Sequence, residues 1–256
     1  MLRLLRARLR QGHRTLAFPA AEPSLPAAFR GRPEVDGSRC VDGCDACARA
    51  CPTEAIEVQG GSLRLDLGRC VFCGECETSC PAGAVRFTPD YRMAVRRRED
   101  LVVGDGEYRL AAALDRTARG LFGRSFRLRQ VSAGGSGAEE ADANVLTTVV
   151  FDLARFGVDF VASPRHADGL LVTGPVSASM RGPLLRTWEA VPAPRLVIAV
   201  GASAISGGPW RGSREVEGGV DRVLPVDLYV PGFPPHPLTI LDGILRLLGR
   251  LGEEPR

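Results

Sequence analysis

The chain has 256 residues, of which 45% are apolar and 25% are charged, and its formal net charge is +3. This length allows one large domain or two ordinary ones, and no apolar run approaches the length of a transmembrane helix. The small net charge, without a basic stripe interleaved with aromatic side chains, argues against nucleic acid as a partner. The sequence contains no lysine, which excludes a P-loop because that phosphate-binding loop requires one.

Residues 1–17 predict a short amphipathic helix. Leu2, Leu5 and Leu9 share one helical face, and several arginines gather beside it. The pattern fits an interfacial helix on a membrane surface or a membrane subunit, a mitochondrial targeting segment, or a solvated helix. The segment that follows, residues 18–37, is rich in Pro, Gly and Ala and predicts an extended linker.

All the cysteines of the chain fall in one short window. They form two sets, Cys40, Cys44, Cys47 and Cys51, and then Cys70, Cys73, Cys76 and Cys80. The second set has the spacing C-x2-C-x2-C-x3-C-P, in which three thiolates bind one 4Fe-4S cluster and the fourth binds another cluster. The first set repeats this spacing 29 positions earlier, with one extra residue after Cys40.

Structural zinc and disulfides are alternative interpretations of these cysteines. Zinc sites usually take cysteines in pairs, which leaves the x3-C-P endings unexplained. Disulfides require an oxidising compartment, and we find no signal-peptide pattern at the start of the chain. We therefore expect iron–sulfur clusters in a reducing, cytoplasmic setting. The extra residue after Cys40 leaves a labile or three-iron first cluster open.

Residues 38–95 resemble the bacterial dicluster ferredoxins, through both cysteine sets and the repeated segments CPTEAIEV and CPAGAVRF. The resemblance implies an α+β domain with two 4Fe-4S clusters. It assigns one cluster to Cys40, Cys44, Cys47 and Cys80, and the other to Cys70, Cys73, Cys76 and Cys51. Because the segment has few large apolar side chains, we expect the clusters to supply part of its stability.

A second domain is expected over residues 125–256, after a connecting segment at 96–124 with a helix over 107–122. A further helix is expected over about 140–155. Five short apolar runs predict strands: SFRLRQV, VDFVA, GLLVTG, RLVIAVG and VDLYVPG. Strands that alternate with helices predict an α/β domain with a parallel sheet covered on both faces. A binding site would then lie at the carboxyl ends of the strands.

Three segments of this second domain resemble the small, cluster-bearing subunit of complex I and of group 4 NiFe energy-converting hydrogenases of the formate hydrogenlyase type. They are FVASPRHADGLLVTGPVS, VIAVGASAISGGPW and VDLYVPGFPPHP. The resemblance implies a flavodoxin-like fold and a single 4Fe-4S cluster held by four cysteines. The corresponding positions here are Ser136, Glu139, Ser203 and Phe233. Because phenylalanine cannot bind iron and none of the four is cysteine, we expect that cluster to be absent.

The chain thus resembles a fusion of two subunits that are usually separate in complex I and in energy-converting hydrogenases. The resemblance implies an electron-transfer subunit, not catalytic alone, that relays single electrons beside a large catalytic-type subunit and membrane subunits. It implies a cytoplasmic position, peripheral on the inner face of the cell membrane. One alternative is a structural docking subunit whose C-terminal domain is an inert scaffold without through-transfer. Another is a freestanding ferredoxin-type carrier.

Overall fold

The computed structural model describes residues 2–104, 106–122 and 124–251. Residues 252–256, expected as the end of the second domain, lie outside this described part. None of the described helices is long and apolar enough to cross a membrane.

The N-terminal helix lies apart from the body of the protein, whereas the linker after it is anchored. Helix α1 (Leu2–Gln11) buries none of its residues. Beyond it, the amide of Leu16 donates to the carbonyl of Val150 at 2.9 Å. Phe18 is buried, with its ring edge-on to that of Tyr91. The linker therefore lies against the body of the protein, and the apolar face of α1 remains exposed.

The cysteine-rich region consists of short elements in two small antiparallel sheets. In chain order these elements are β1 (Pro33–Val35), α2 (Ala46–Ala50), β2 (Ile56–Gln59), β3 (Ser62–Asp66), α3 (Glu75–Ser79), β4 (Val85–Phe87) and β5 (Val102–Val103). Strand β1 pairs with β4, while β3 pairs with both β2 and β5. Helices α2 and α3 each lie between the second and fourth cysteines of a set, so the sequence repeat is also a structural repeat.

The second half of the chain forms a five-stranded parallel sheet with helices. Its elements are α4 (Arg116–Phe122), β6 (Phe126–Ser132), α5 (Ala138–Val145), β7 (Val158–Phe160), β8 (Gly169–Thr173), α6 (Ala178–Ala190), β9 (Leu196–Val200), α7 (Ala202–Ser206), β10 (Leu228–Val230) and α8 (Pro237–Leu247). The strand order is β7-β6-β8-β9-β10, and every neighbouring pair is parallel. This is the flavodoxin-like order, so the predicted α/β class is confirmed.

Alternate residues of the central strands face two different hydrophobic cores. Leu171 and Ile198 pack in the core that contains Ile244 of α8. Val172 and Ala199 pack in the core that extends into the cysteine-rich region. The sheet is therefore covered on both faces, as its continuous apolar strands predict.

Backbone contacts fix the two halves of the chain to each other. Val95 and Tyr229 exchange both amide–carbonyl hydrogen bonds, at 3.0 and 2.8 Å, so the segment after the cysteines extends the sheet beyond β10. Helix α8 approaches this segment closely at Gly243, where an added Cβ would lie 2.6 Å from the Cβ of Ala94. The two domains consequently form one continuous structure.

Two predicted helices are shorter than their periodicity indicated. The helix expected over 107–122 begins only at α4, because the amides of Ala111 and Leu114 bond instead to the carbonyls of Ala94 and Leu247. The helix expected over 140–155 ends with α5 and gives way to turns. Asp152, at φ 47°, has a left-handed backbone that a continuous α-helix does not accommodate.

Candidate metal centre

The fourth cysteine of each set lies in the same local structure. Cys51 ends α2 and Cys80 ends α3. The amide of Ala55 donates to Cys51 Sγ at 3.2 Å, and the amide of Ala84 donates to Cys80 Sγ at the same distance. The two acceptors are 29 positions apart, and so are the two donors. The same hydrogen bond is therefore present in both repeats. An N–H donor of this kind stabilises a thiolate ligand, which carries negative charge.

A tight turn after each of these cysteines brings the donating amide back to the sulfur. Glu54 has φ 52° and Gly83, 29 positions later, has φ 60°. Left-handed backbone is unusual for glutamate and ordinary for glycine. The turn is present in both repeats although only one of them uses glycine, which indicates that its geometry is a requirement of the site.

Cys51 lies with the cysteines of the other set. It lines one cavity together with Cys70, Cys73 and Cys76. Burial, together with the neighbouring Cys51 and Cys73, raises the pKa of the Cys76 thiol to about 12. Burial likewise raises the pKa of Cys70, whose Sγ accepts from the amide of Phe72 at 3.3 Å. These four thiols are the set that the ferredoxin resemblance assigns to the second cluster.

The remaining cysteines gather around Cys47. Burial raises the pKa of the Cys47 thiol, and Cys80 and Cys40 act on it as close neighbours. Cys44 lies two residues before the start of α2, in the loop that leads to Cys47. The extra residue of the first set falls in this loop, where Val41 is 57% exposed. The insertion is therefore accommodated at the surface, and Cys40 stays beside Cys47.

The electrostatics of the sulfurs fit a metal-bound state. Burial opposes ionisation of Cys80, but the backbone amides that follow it, beginning with Ala84, outweigh burial and lower its pKa. The buried Cys47, Cys70 and Cys76 have raised pKa values. Without a metal these three are neutral thiols, so the binding of metal must displace their protons. Thiolates on tight loops with amide donors suit iron–sulfur clusters.

The four positions expected to have lost a cluster lie on three segments at the carboxyl ends of β6, β9 and β10: Ser136 and Phe233 in loops, Glu139 in the first turn of α5, and Ser203 in α7. Ser136 is exposed, and its hydroxyl accepts from the amide of Ala138. Glu139 and Ser203 are fully buried. Phe233 is half-buried, with its ring 6.2 Å from that of Trp210. Ala202 precedes Ser203, and Gly232 precedes Phe233. The amide of Ala202 donates to the carbonyl of Gly232, and this hydrogen bond joins the second and third of these segments.

Glu139 projects its carboxyl group into the interior between these loops. An added Cβ on Gly201 would lie 2.6 Å from its Cγ, so glycine is required there. Neither carboxyl oxygen of Glu139 nor the hydroxyl of Ser203 has a hydrogen-bond partner of good geometry in the described part of the chain. Burial raises the pKa of Glu139; Ser203 opposes the rise and Glu140 adds to it.

Glu140, the next residue, is held in the opposite state. Its Oε1 accepts from the hydroxyls of Ser132 at 2.5 Å and Thr173 at 2.7 Å. Burial opposes ionisation, but these donors outweigh it and lower the pKa of Glu140. The pKa values of these two adjacent carboxyl groups are therefore shifted in opposite directions.

A groove separates the loop of the second cysteine set from the altered loops. It has a volume of about 290 Å³, and its lining includes Val71 and Phe72 on one side and Gly232 and Phe233 on the other. Val71 and Phe72 lie between Cys70 and Cys73. The sulfurs of the second set are thus separated from the altered site by aromatic and aliphatic side chains.

Sequence reasoning missed two ion pairs, one within the first half of the chain and one that joins the two domains. Arg98 binds both carboxylate oxygens of Asp66, at 2.8 and 2.7 Å, and its guanidinium packs over Gly68. Arg211 pairs with Glu54 at 2.5 Å across 157 positions. No spacing pattern in the sequence marks such pairs. Their only signal is the charge itself, which a solvated surface explains equally well.

Comparison with known protein families agrees with this division of the chain. Residues 30–84 match the family model of the 4Fe-4S dicluster domain. Residues 136–247 match the family model of the NADH ubiquinone oxidoreductase 20 kDa subunit. The first match contains all eight cysteines, which implies two 4Fe-4S clusters. The second contains all four altered positions.

Individual relatives resemble parts of the chain. Formate hydrogenlyase subunit 7 of Escherichia coli is 42% identical over 131 residues, 51% of either chain. An NADH-quinone oxidoreductase subunit of Rubrobacter xylanophilus is 49% identical over 104 residues, 40% of this chain and 41% of the relative. The chain thus spans about half the length of these curated relatives.

A solved structure of the membrane-bound sulfane sulfur reductase, an archaeal respiratory membrane complex, contains a similar chain. That chain is 29% identical, with a TM-score of 0.47, and the similarity covers 53% of this chain and 75% of that one. From the two family matches, the present chain is a fusion of a 4Fe-4S dicluster domain with a domain that is similar to the complex I 20 kDa subunit.

Proposed function

We propose that this chain is an iron–sulfur electron-transfer subunit of a membrane-associated, complex I-like or hydrogenase-related oxidoreductase complex. The observation that carries the proposal is the position of Cys51 and Cys80, each of which lies beside thiols of the other cysteine set. Cys51 lines a cavity with Cys70, Cys73 and Cys76, which would hold one 4Fe-4S cluster. Cys40, Cys44, Cys47 and Cys80 would hold the other. When bound, such clusters supply one-electron storage at low potential.

The role of this chain's own residues is to hold two one-electron centres close together in a mostly buried setting. Helices α2 and α3 pack against each other and each ends in one of these two cysteines. The amides of Ala55 and Ala84 donate to those two sulfurs, which favours the charged thiolate. Apolar residues such as Ile56 and Leu65 exclude water from the second set.

The altered C-terminal site bears on where electrons would leave. This site offers no thiolate, because its four positions are Ser136, Glu139, Ser203 and Phe233. Electrons that leave the cluster of the second set would therefore pass to a group on another subunit. The large catalytic-type subunit expected as partner would then not be a working hydrogenase. A neighbouring gene that encodes a large subunit with all four NiFe-binding cysteines would contradict this part of the proposal.

Membrane association is supported by helix α1. Leu2, Leu4, Leu5 and Leu9 are all more than half exposed, and the helix contains four arginines and no acidic residue. Such a helix fits the surface of an anionic bilayer, with leucines toward the acyl chains and arginines toward the headgroups. We infer a cytoplasmic position, peripheral to the membrane, beside membrane subunits.

A second candidate is favoured by one specific observation. Because the altered loops contain buried Glu139 and Ser203 in place of thiolates, the C-terminal domain would serve as a docking scaffold without through-transfer. The two candidates differ in a measurable way. In the relay, reduced clusters pass electrons to an acceptor on the purified complex; in the scaffold, the clusters are reduced and the acceptor is not.

The experiment that tests the proposal is a potentiometric titration of the anaerobically purified protein, in which EPR spectra are recorded at each potential. We expect two one-electron transitions whose signals broaden each other, because neighbouring clusters interact magnetically. A protein with zinc and no EPR signal after reduction would overturn the proposal.

A further inference from the structure

A basic cleft lies between the two domains, beside the second cysteine set. Its volume is about 520 Å³, within the range of small-molecule sites. Five arginines line it against two acidic residues: Arg69, Arg98, Arg211, Arg214 and Arg222, with Glu217 and Asp221. The described residues that line it include no aromatic ring, so the cleft suits a polar anion better than a flat apolar ligand.

Three of these arginines are held in place by ion pairs. Asp66 Oδ2 lies 2.7 Å from Arg98 Nη2 and 3.3 Å from Arg69 Nε. Glu54 Oε2 lies 2.5 Å from Arg211 Nη2. A guanidinium group has five N–H donors, so each arginine keeps donors for another acceptor. The ion pairs orient these side chains, which lowers the entropy cost of binding a ligand.

The other two arginines supply uncompensated charge. Among the described residues, neither Arg214 nor Arg222 has an acidic partner within ion-pair distance. Of the two acids of the cleft, Glu217 pairs at 3.5 Å with an arginine outside the cleft, whereas Asp221 keeps its negative charge near Arg98. The cleft therefore combines fixed donors with an excess of positive charge.

We propose that this cleft binds a small polyanion that carries at least two phosphate groups. Arginine matches phosphate in geometry, since its planar fork donates two parallel hydrogen bonds to two phosphate oxygens. Arg69 and Arg98 belong to the first half of the chain, whereas Arg214 and Arg222 belong to the second. A ligand with two phosphates spans both walls, and by binding the folded protein it stabilises the junction of the domains.

The test is calorimetric titration of the intact, cluster-loaded protein under anaerobic conditions with pyrophosphate and, separately, with ADP. The two probes distinguish an inorganic polyphosphate from a nucleotide, and either one supports the proposal. We expect about one ligand per chain and a rise in Tm. Cluster absorbance recorded during the titration must stay constant, so that removal of iron is not mistaken for binding.

Two variants complete the test. The double substitution Arg214→Ala with Arg222→Ala should weaken binding at least about tenfold, because two charge-assisted contacts are lost. The matched control is Arg116→Ala, an exposed arginine on α4 outside the cleft, which should bind as the unaltered chain does. Absence of binding by both probes, or equal binding by the double variant and the control, would overturn the proposal.

Discussion

The thiols of Cys51 and Cys76 are close neighbours, although the two residues belong to different cysteine sets. Cys51→Ala should therefore remove the cluster of the second set and leave that of the first. We expect about four of about eight iron atoms per chain to be lost, with one EPR signal retained. Iron analysis and EPR of the reduced variant check this.

The matched variant is Cys47→Ala, which should remove the other cluster. Its remaining EPR signal should differ from that of the Cys51 variant, because each protein keeps a different cluster. If both variants keep the same signal, the exchange of cysteines between the sets is contradicted.

The ion pair between Asp66 and Arg98, which lies within the first half of the chain, should contribute strongly to the stability of that half. Burial opposes ionisation of Arg98, but its hydrogen bonds to Asp66 outweigh burial and raise its pKa. Asp66→Asn leaves a half-buried guanidinium without its counter-charge, and we expect a loss of about 2 kcal/mol in the free energy of unfolding. Thermal unfolding of the cluster-loaded protein measures it.

Glu34→Gln is the control for that substitution. Glu34 pairs with Arg86 at 2.6 Å, but both side chains are more than half exposed. We expect a change of less than about 1 kcal/mol, because water screens an exposed pair. Equal losses in the two variants would show that the pair of Asp66 and Arg98 has no special role.

The buried Glu139 predicts a pH dependence of stability. Its pKa is raised in the folded protein, so the folded state holds a proton that the unfolded state has lost, and stability falls as pH rises toward the folded pKa. Glu139→Gln removes this effect. At about pH 8 the variant should have a higher Tm and a larger free energy of unfolding than the unaltered protein. This difference in free energy should be smaller at about pH 5, by about 1.4 kcal/mol for each unit by which the pKa of Glu139 is raised.

Glu140→Gln should behave in the opposite way. Its pKa is lowered, so the ionised side chain stabilises the folded protein above its ordinary pKa, and this contribution disappears only as pH falls through the folded pKa. The variant should be less stable than the unaltered protein at neutral pH. Identical pH profiles for the two glutamine variants would contradict the opposite pKa shifts of Glu139 and Glu140.

Helix α1 should govern binding to lipid. Leu5→Asp with Leu9→Asp places two charges on its apolar face, and we expect co-sedimentation with vesicles that contain anionic phosphatidylserine to be lost while iron content is unchanged. Leu121→Asp is the control, since Leu121 is 60% exposed but lies on α4. Equal vesicle binding by the two variants would exclude α1 as the membrane contact.

The features that the sequence predicts best are those with a short-range pattern. The cysteine spacing predicts the repeat, and the structure places the same amide donor after Cys51 and Cys80. Residues 169–173 and 196–200 are apolar almost throughout because both faces of these strands are buried, so the parallel sheet could be predicted. The assignment of each cysteine to a cluster stays a prediction.

The features that could not be predicted depend on contacts between distant residues. Residues 107–115 have helical periodicity, yet amides in this segment bond to Ala94 and Leu247, which no local pattern indicates. The burial of Glu139 depends on the small size of Gly201, 62 positions later. The pair of Glu54 and Arg211 and the cleft beside it arise only when the two domains meet.

The central claim is that the chain carries two clusters and that its C-terminal site carries none. Iron and acid-labile sulfide per chain, measured on anaerobically purified protein together with EPR after dithionite reduction, test it most directly. We expect about eight iron atoms and two interacting signals. About twelve iron atoms would mean that a third cluster is bound despite Ser136, Glu139, Ser203 and Phe233, and would contradict the claim.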